Sequence, residues 1–375
     1  MNILIFSYDY SEKSLASSFR ARNLGDFCKR NNYNVRVISS KHDNQEEVIS
    51  IDSSFIENRR FFSKIYLRLF YYPDPIAYWV KKVIVFLKTH SELVENADKI
   101  IVTTPPHSLQ LIALWIKSNY PNKYVISDFR DAFVTNHRVK WYTPLHLMYA
   151  KNMETKIFEN IDCIITNTLS MKLNFLNGYN NFKNKIIYVP NGYIDCIDSI
   201  QDKKSESITI GYFGDSYGGE ISNIINTCLQ KKSKSDKIKF LTAGKGDWNI
   251  HKQYKKNQWC HLGLVSQTQV KNAIQKSDIL IIVMPKGEKE PSPTVPLKVY
   301  EYLASDKPVI YFGPKGDCWN LILNYSNTYC YNSEHLNNLI EILNNVNLVT
   351  KSRIEFRMKF HFDRIARCII GLESF

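Results

Sequence analysis

Short, unbroken runs of Ile and Val alternate with stretches of helical period from one end of this chain to the other. A strand that is apolar on both faces must be covered on both faces, as happens when helices pack on either side of a parallel sheet. The first half predicts strands at Ile3–Phe6, Val35–Ser39, Lys99–Thr103, Tyr124–Ser127, Cys163–Asn167 and Ile186–Val189, with helices such as Phe19–Asn31 and Ser108–Asn119 between them. The pattern restarts after Pro190-Asn191-Gly192 and the polar stretch Cys196–Ser207, with strands expected at Ile208–Phe213, Ile238–Thr242, Asp278–Val283 and Pro308–Tyr311. This is the βαβ signature of an α/β, doubly wound fold, present twice.

The 375 residues fit that reading, since domains average roughly 150 residues. Two Rossmann-like domains are expected over 1–195 and 196–352, with 353–375 forming a helix that returns to the first. An apolar fraction of 44% with 23% charged residues is that of a globular chain and excludes a disordered or fibrous one. No run reaches the roughly 20 apolar residues needed to span a bilayer, and Met1–Phe6 is too short for a signal peptide, so the chain is expected to be cytoplasmic. Eight cysteines are scattered without a C-x-x-C pair, which supports neither zinc nor redox chemistry and predicts reduced thiols. The excess of 49 Lys and Arg over 36 Asp and Glu, a formal +13, attracts polyanions. Nucleic acid, an anionic membrane and phosphorylated substrates all qualify.

The densest local signal runs from Pro291 to Ala304. A Pro-rich loop leaves a strand and opens a helix with Pro296 in its first turn, where a missing N–H costs nothing. Free backbone N–H groups at such a terminus attract anions. Lys298 adds a point charge, and Glu301 shares its face, where a carboxylate accepts two hydroxyls of a ribose or sugar. The same residues also read as an ordinary surface helix carrying an i,i+3 ion pair.

This segment resembles the P-x-K-x-x-E-Y-L-A stretch of GT-B glycosyltransferases, particularly the GT4 family, followed here by Lys307-Pro308-Val309-Ile310. Further similarities fall in chain order. Thr103 to Ser108 resembles a T/S-x-P-P-H-S loop, and Asp128 to Asp131 a D-L-R-D strand end. Pro190 to Gly192 is similar to the family's P-N-G, and Tyr212 to Gly214 to its Y-x-G. The resemblance covers nearly the whole chain and implies GT-B architecture, two Rossmann-like domains facing a central cleft. It implies transfer of a sugar from a UDP- or GDP-sugar to a glycan or polyprenyl-linked acceptor in surface polysaccharide synthesis, without a metal and with retention of configuration. The implied donor residues are Gly214, Lys245, Gly263, Leu264, Thr294, Val295, Lys298 and Glu301. Two departures stand out. Pro293 occupies the place of the first Glu of the family's E-x7-E pair, with Glu288 and Glu290 near it in sequence and neither marked as its substitute. The loop Asp215–Glu220 has no Lys or Arg, a charge that Lys245 either replaces or, as a solvated turn lysine, does not.

In the first domain, Asp128, Arg130 and Asp131 at a strand end read either as a structural network or as an acceptor-orienting base held by an arginine. His107 reads as a catalytic imidazole or as a helix cap beside Ser108. Ser17, Ser18 and Arg20, at a helix start, read as acceptor or phosphate contacts or as a plain N-cap. Residues 59–88 hold seven Lys or Arg against one Asp, interleaved with nine aromatic residues. That composition suits a lipid headgroup layer and predicts peripheral attachment at the inner face of the membrane through Arg68, Trp79, Lys81 and Lys82. It also suits a helix pair packed on the core or stacking of single-stranded nucleic acid, though no RNP, zinc-finger or helix-turn-helix signature accompanies it. No D-x-D segment sits at a strand end, so no metal or other cofactor is expected. A GT-B nucleotide-sugar epimerase, or an inactive membrane- or nucleic-acid-binding protein on the same fold, are the rival readings.

Overall fold

A computed structural model of the chain describes residues 1–11, 15–54, 71–136, 139, 141, 143–195, 207–216, 220–230, 237–250, 254, 258–285, 287–288, 290–349 and 351–375. These residues form two units: Met1–Asn191 with Asp363–Phe375, and Gly192–Phe362. The C-terminal stretch expected to return as one piece is thus divided. Its helix Ile354–Phe360 lies in the second unit and its helix Phe362–Ile369 falls, but for its first residue, in the first.

The first unit holds a seven-stranded parallel sheet in the order β3-β2-β1-β4-β5-β6-β7. The strands are β1 (Asn2–Phe6), β2 (Asn34–Ser39), β3 (Val48–Ser50), β4 (Lys99–Thr104), β5 (Val125–Phe129), β6 (Cys163–Thr166) and β7 (Ile186–Tyr188). The second unit repeats the winding with six strands in the order β10-β9-β8-β11-β12-β13. These are β8 (Ile208–Phe213), β9 (Ile238–Ala243), β10 (Trp259–His261), β11 (Ile279–Val283), β12 (Val309–Phe312) and β13 (Thr328–Tyr331). Every pairing is parallel, for example Ile3 beside Val35 and Lys99, or Leu280 beside Val309 and Gly211. Each sheet therefore has one edge where all its strands end, and a switch point where the winding reverses, between β1 and β4 and between β8 and β11. Ligands of such sheets bind at that edge, by that point.

The two-faced apolar runs are the centre of each sheet. All residues of β11 and β12 are buried, as are Ile3–Phe6 of β1. Burying one such Ile, Val, Leu or Phe side chain contributes roughly 1.5–3 kcal/mol, enough to offset the ~1–2 kcal/mol lost in ordering its backbone. All ten expected strands are present. The three that sequence missed, β3, β10 and β13, are the short outer strands, whose residues are mostly half-buried or exposed. One-sided burial leaves no apolar run to read.

Candidate functional site

In the second unit the strand ends at the switch point are stacked backbone on backbone. Gly214, just past β8, has φ +150°, and a Cβ there would lie 2.9 Å from Lys298 Nζ. Gly244, just past β9, has φ +136°, and its Cβ would lie 1.9 Å from the Gly214 carbonyl oxygen. Both glycines are needed, for conformation and for space. The Gly214 N–H donates to Ala243 O (2.8 Å), the Gly244 N–H to Gly263 O (2.9 Å) and the Ser216 N–H to Lys245 O (3.0 Å). The loops after β8, β9 and β10 are thereby one ledge, with Lys245 exposed on it and Leu264 exposed beyond it.

Lys298 reaches this ledge from the loop and helix after β11. The helix spans Lys298–Ala304, two residues later than Pro296 suggested. Pro296 and Leu297 make the lead-in turn, their carbonyls accepting the N–H groups of Val299 (3.0 Å) and Tyr300 (3.1 Å). The anion-attracting part is therefore the lysine more than the terminal amides. Its Nζ is buried and lies 4.1 Å from the centroid of the Tyr212 ring. Burial pulls its pKa down to about 8, opposed by Cys318 and Asp215. Such an ammonium is still charged at neutral pH, and, stripped of water, it gains strongly from an arriving anion.

Glu301, three residues on, is half-buried, accepts from Gln267 Nε2 (3.4 Å), and is pushed up in pKa by burial, against the pull of Gln267 and Lys271. Val295 is half-buried in the loop. Thr294 is turned to Glu288, one of the two acidic residues that stand near Pro293 in sequence. Glu288 Oε1 accepts from both Ser292 Oγ (2.7 Å) and Thr294 Oγ1 (2.9 Å). The loop is pinned at its base, Ser292 N–H donating to Lys315 O (2.8 Å). Glu288 is thus a carboxylate held over the place where Pro293 interrupts the expected acidic pair; nearness in sequence alone did not separate it from Glu290.

In the first unit, Arg20 and Asp128 are a buried tie, not a phosphate contact and a base. Arg20 Nε lies 3.0 and 2.8 Å from the two carboxylate oxygens, with side chains 1% and 2% exposed. Thr103 Oγ1 donates to Asp128 Oδ2 (3.1 Å), and the rest of the guanidinium donates to Pro190 O (2.7 Å) and Val189 O (2.9 Å). The stretch Val189 to Asn191 is therefore anchored by Arg20. Ser18 is also turned inward, its hydroxyl donating to Ser11 O, whereas Ser17 is exposed and donates to Asp9 (2.7 Å).

Arg130 clamps the neighbouring loops, donating to Thr104 O (3.2 Å), Pro105 O (2.9 Å) and Ser17 O. Asp131 is exposed. His107 is buried at 9% exposure and stacks on Phe133 with ring centroids 4.7 Å apart. Its Nδ1 is buried without a hydrogen-bond partner. Burial, and then the charge of Arg130, pull its pKa down to about 3, so the ring is neutral at any physiological pH. The turn it opens is capped by Asp74, which accepts from Ser108 N (2.9 Å) and Ser108 Oγ (2.8 Å). A buried neutral imidazole with an open ring nitrogen is fitted to exchange a hydrogen bond with a hydroxyl.

The loop carrying Asp131 and Phe133 rests on Glu154, 2% exposed, which accepts from Val134 N (2.9 Å) and the Tyr179 hydroxyl (3.2 Å). Burial pushes this carboxyl up to about 7. The folded state therefore holds an extra proton between the ordinary carboxylate range and neutrality, and stability falls as pH rises through that window. Glu154→Gln is expected to stabilise the protein by on the order of 2 kcal/mol at pH 8 and little at pH 5. Urea melts at the two pH values check this; an equal difference at both would show that Glu154 does not titrate in the fold.

Of the residues expected at a membrane, Trp79 belongs to the core. It is fully buried, donates from Nε1 to Ile51 O (2.7 Å) and packs edge-on to Tyr8 with centroids 5.4 Å apart. Its amphipathic ring suited a headgroup layer, but an inward position in the helix Ala77–Thr89 decides otherwise. Lys81 is exposed and Lys82 half-buried, the latter bonding to Asp52 O (3.1 Å). Arg68 lies outside the described residues. Among the described residues no helix is long and apolar enough to cross a membrane, and no group of three His, Cys, Asp or Glu is placed to hold a metal.

These two parallel, doubly wound units are the fold of GT-B glycosyltransferases. The chain is similar in structure to a glycosyltransferase from Rickettsia africae, at 14% identity, over 99% of this chain and 97% of that one, with a TM-score of 0.61. It is likewise similar to HepE of Anabaena, solved with UDP-glucose, at 13% identity, over 98% of each chain, with a TM-score of 0.60. A putative UDP-N-acetylglucosamine 2-epimerase from Listeria monocytogenes shares the fold at 10% identity, over 98% of this chain and 94% of that one, with a TM-score of 0.57. No family model matches the chain. No curated protein matches it in sequence.

Proposed function

We propose that this chain is a retaining, metal-independent glycosyltransferase of GT4 type, moving a sugar from a UDP- or GDP-sugar to a glycan or polyprenyl-linked acceptor of surface polysaccharide, at the inner face of the cell membrane. The observation that carries it is the desolvated Lys298 ammonium behind Gly214 at the β8–β11 switch point, with Glu301 three residues away on the same helix. The likeness to HepE, solved with UDP-glucose, favours a UDP-sugar.

In this reading the donor diphosphate lies along the ledge of Gly214, Gly244 and Gly263, against Lys298, with Lys245 adding charge from outside. Glu301 takes two hydroxyls of the ribose. Glu288 replaces the acidic residue that Pro293 displaces and meets the sugar. The bond between the anomeric carbon and the diphosphate oxygen breaks, and the charge that grows on that oxygen is met by Lys298. The acceptor hydroxyl forms the new bond and gives up its proton to the departing diphosphate. On the acceptor side, His107 bonds a sugar hydroxyl as a neutral ring and the exposed Asp131 orients the acceptor, while Arg130 holds both loops.

The test is calorimetry against a panel of UDP- and GDP-sugars, with transfer assayed in Glu301→Ala. Losing hydrogen bonds to a charged group, each worth ~1.5–3 kcal/mol, is expected to cut turnover roughly a hundredfold with the melting temperature unchanged. Full activity in that variant removes Glu301 from the site. The epimerase reading is favoured by the likeness to the Listeria protein. It predicts an isomerised nucleotide sugar as product with no acceptor present.

A further inference from the structure

Two helices of the first unit carry an outward face that nothing in the transfer chemistry uses. On Ala77–Thr89, Lys81, Val85 and Lys88 are all exposed at helical spacing, Val85 at 63%. On Pro144–Asn160, Leu145 is 70% exposed, Met148 63% and Tyr149 43%, followed by exposed Lys151. Tyr71 and Tyr72 join the two faces. Lys81 Nζ stands 5.0 Å from the Tyr71 ring centroid, and Tyr72 packs on Tyr149 at 4.4 Å and on His146 at 4.7 Å. The result is a continuous apolar, aromatic and basic surface.

The described stretches that form it carry almost no acid. Between positions 71 and 89 the sole carboxylate is Asp74, which is turned inward onto Ser108, and between 143 and 153 there is none. Exposed Asp52 lies 3.7 Å from Lys82, the half-buried lysine of that helix. Large apolar side chains at a helix start, ringed by tyrosine and lysine, match the boundary between lipid headgroups and acyl chains, where apolar groups enter and lysines remain with the phosphates. The geometry points to this surface as the seat of the protein on an anionic bilayer, with Leu145, Met148 and Tyr149 inserted and Lys81, Lys88 and Lys151 on the headgroups. It rests on the membrane part of the proposed function and replaces Trp79 with residues that reach solvent.

The experiment is flotation of the full chain with vesicles of phosphatidylcholine, alone or with one third phosphatidylglycerol, at low and high salt. The expected result is binding to the anionic vesicles only, weakened by salt. Leu145→Asp with Met148→Asp, and separately Lys81→Glu with Lys151→Glu, are each expected to lower vesicle affinity at least tenfold. Both should keep wild-type affinity for the nucleotide sugar, which shows that the fold and the donor site stand. Equal binding to neutral vesicles, no binding to either, or wild-type flotation by both variants would overturn the surface. So would tight, salt-sensitive binding to a single-stranded oligonucleotide that anionic vesicles do not displace. Loss of nucleotide-sugar affinity in the wild type is a different failure, that of the transferase reading.

Discussion

Lys298→Met is expected to lower kcat/KM for transfer by a factor of 10²–10³, about what one preorganised group facing a developing oxyanion contributes. The fold should not suffer. The ammonium is held beside the Tyr212 ring with its pKa already pulled down to about 8 by burial. A thioether of similar length occupies that space without the desolvation penalty, so the variant is expected to melt no lower than the parent and to lose the parent's gain in melting temperature on adding UDP. Sign matters for the parent too. A lysine whose pKa is depressed in the fold makes the protein less stable below that pKa, with stability recovering as pH rises from about 8 toward the ordinary lysine value. In Lys298→Met that alkaline rise should vanish. Transfer at the parental rate in this variant would take the leaving group away from β8 and require another site for the diphosphate.

Asp128→Ala is the second large effect, and its cause is different. Removing one partner of a buried ion pair leaves the other charge uncompensated and typically costs ~3–5 kcal/mol. Arg20 would keep its bonds to Val189 O and Pro190 O but face an empty, dry site at 1% exposure. Activity should therefore be lost through unfolding. The double variant Arg20→Met with Asp128→Leu separates this from catalysis, because a matched apolar pair of similar volume often restores or exceeds the original stability. It is expected to regain most of the stability and a measurable part of the transfer activity. A stable double variant with no trace of activity would return Asp128 to the list of reacting groups.

The contrast between these two residues shows how much of the candidate site was legible in the chain. Lys298 and Glu301 stand three apart in one short segment, and the loop before them is marked by its prolines. Such a signal is local and needs only the helical period to place both groups on one face. Asp128 and Arg130 also sit in a recognisable segment, but what Asp128 does depends on Arg20, 108 residues earlier. Its carboxylate reads as a candidate base until the fold brings a guanidinium onto both oxygens. Glu288 is a third case. Its nearness to Pro293 marks it together with Glu290, and only the folding back of the loop sets it over Ser292 and Thr294.

By itself, the sequence determined the two sheets and their winding, because unbroken Ile and Val runs have few ways to be covered and the helices between them supply one. It also marked which strand-end loops are candidates for chemistry, since glycine, proline and charge at fixed offsets act over a few residues. Tertiary structure alone decided which polar groups are spent on the fold and which remain for a ligand. Trp79, amphipathic in isolation, was claimed by the core, and Leu145 and Met148, ordinary helix formers, were left in solvent. Burial and charge pairing are set by neighbours distant along the chain, and a periodicity read over one or two turns carries no information about them.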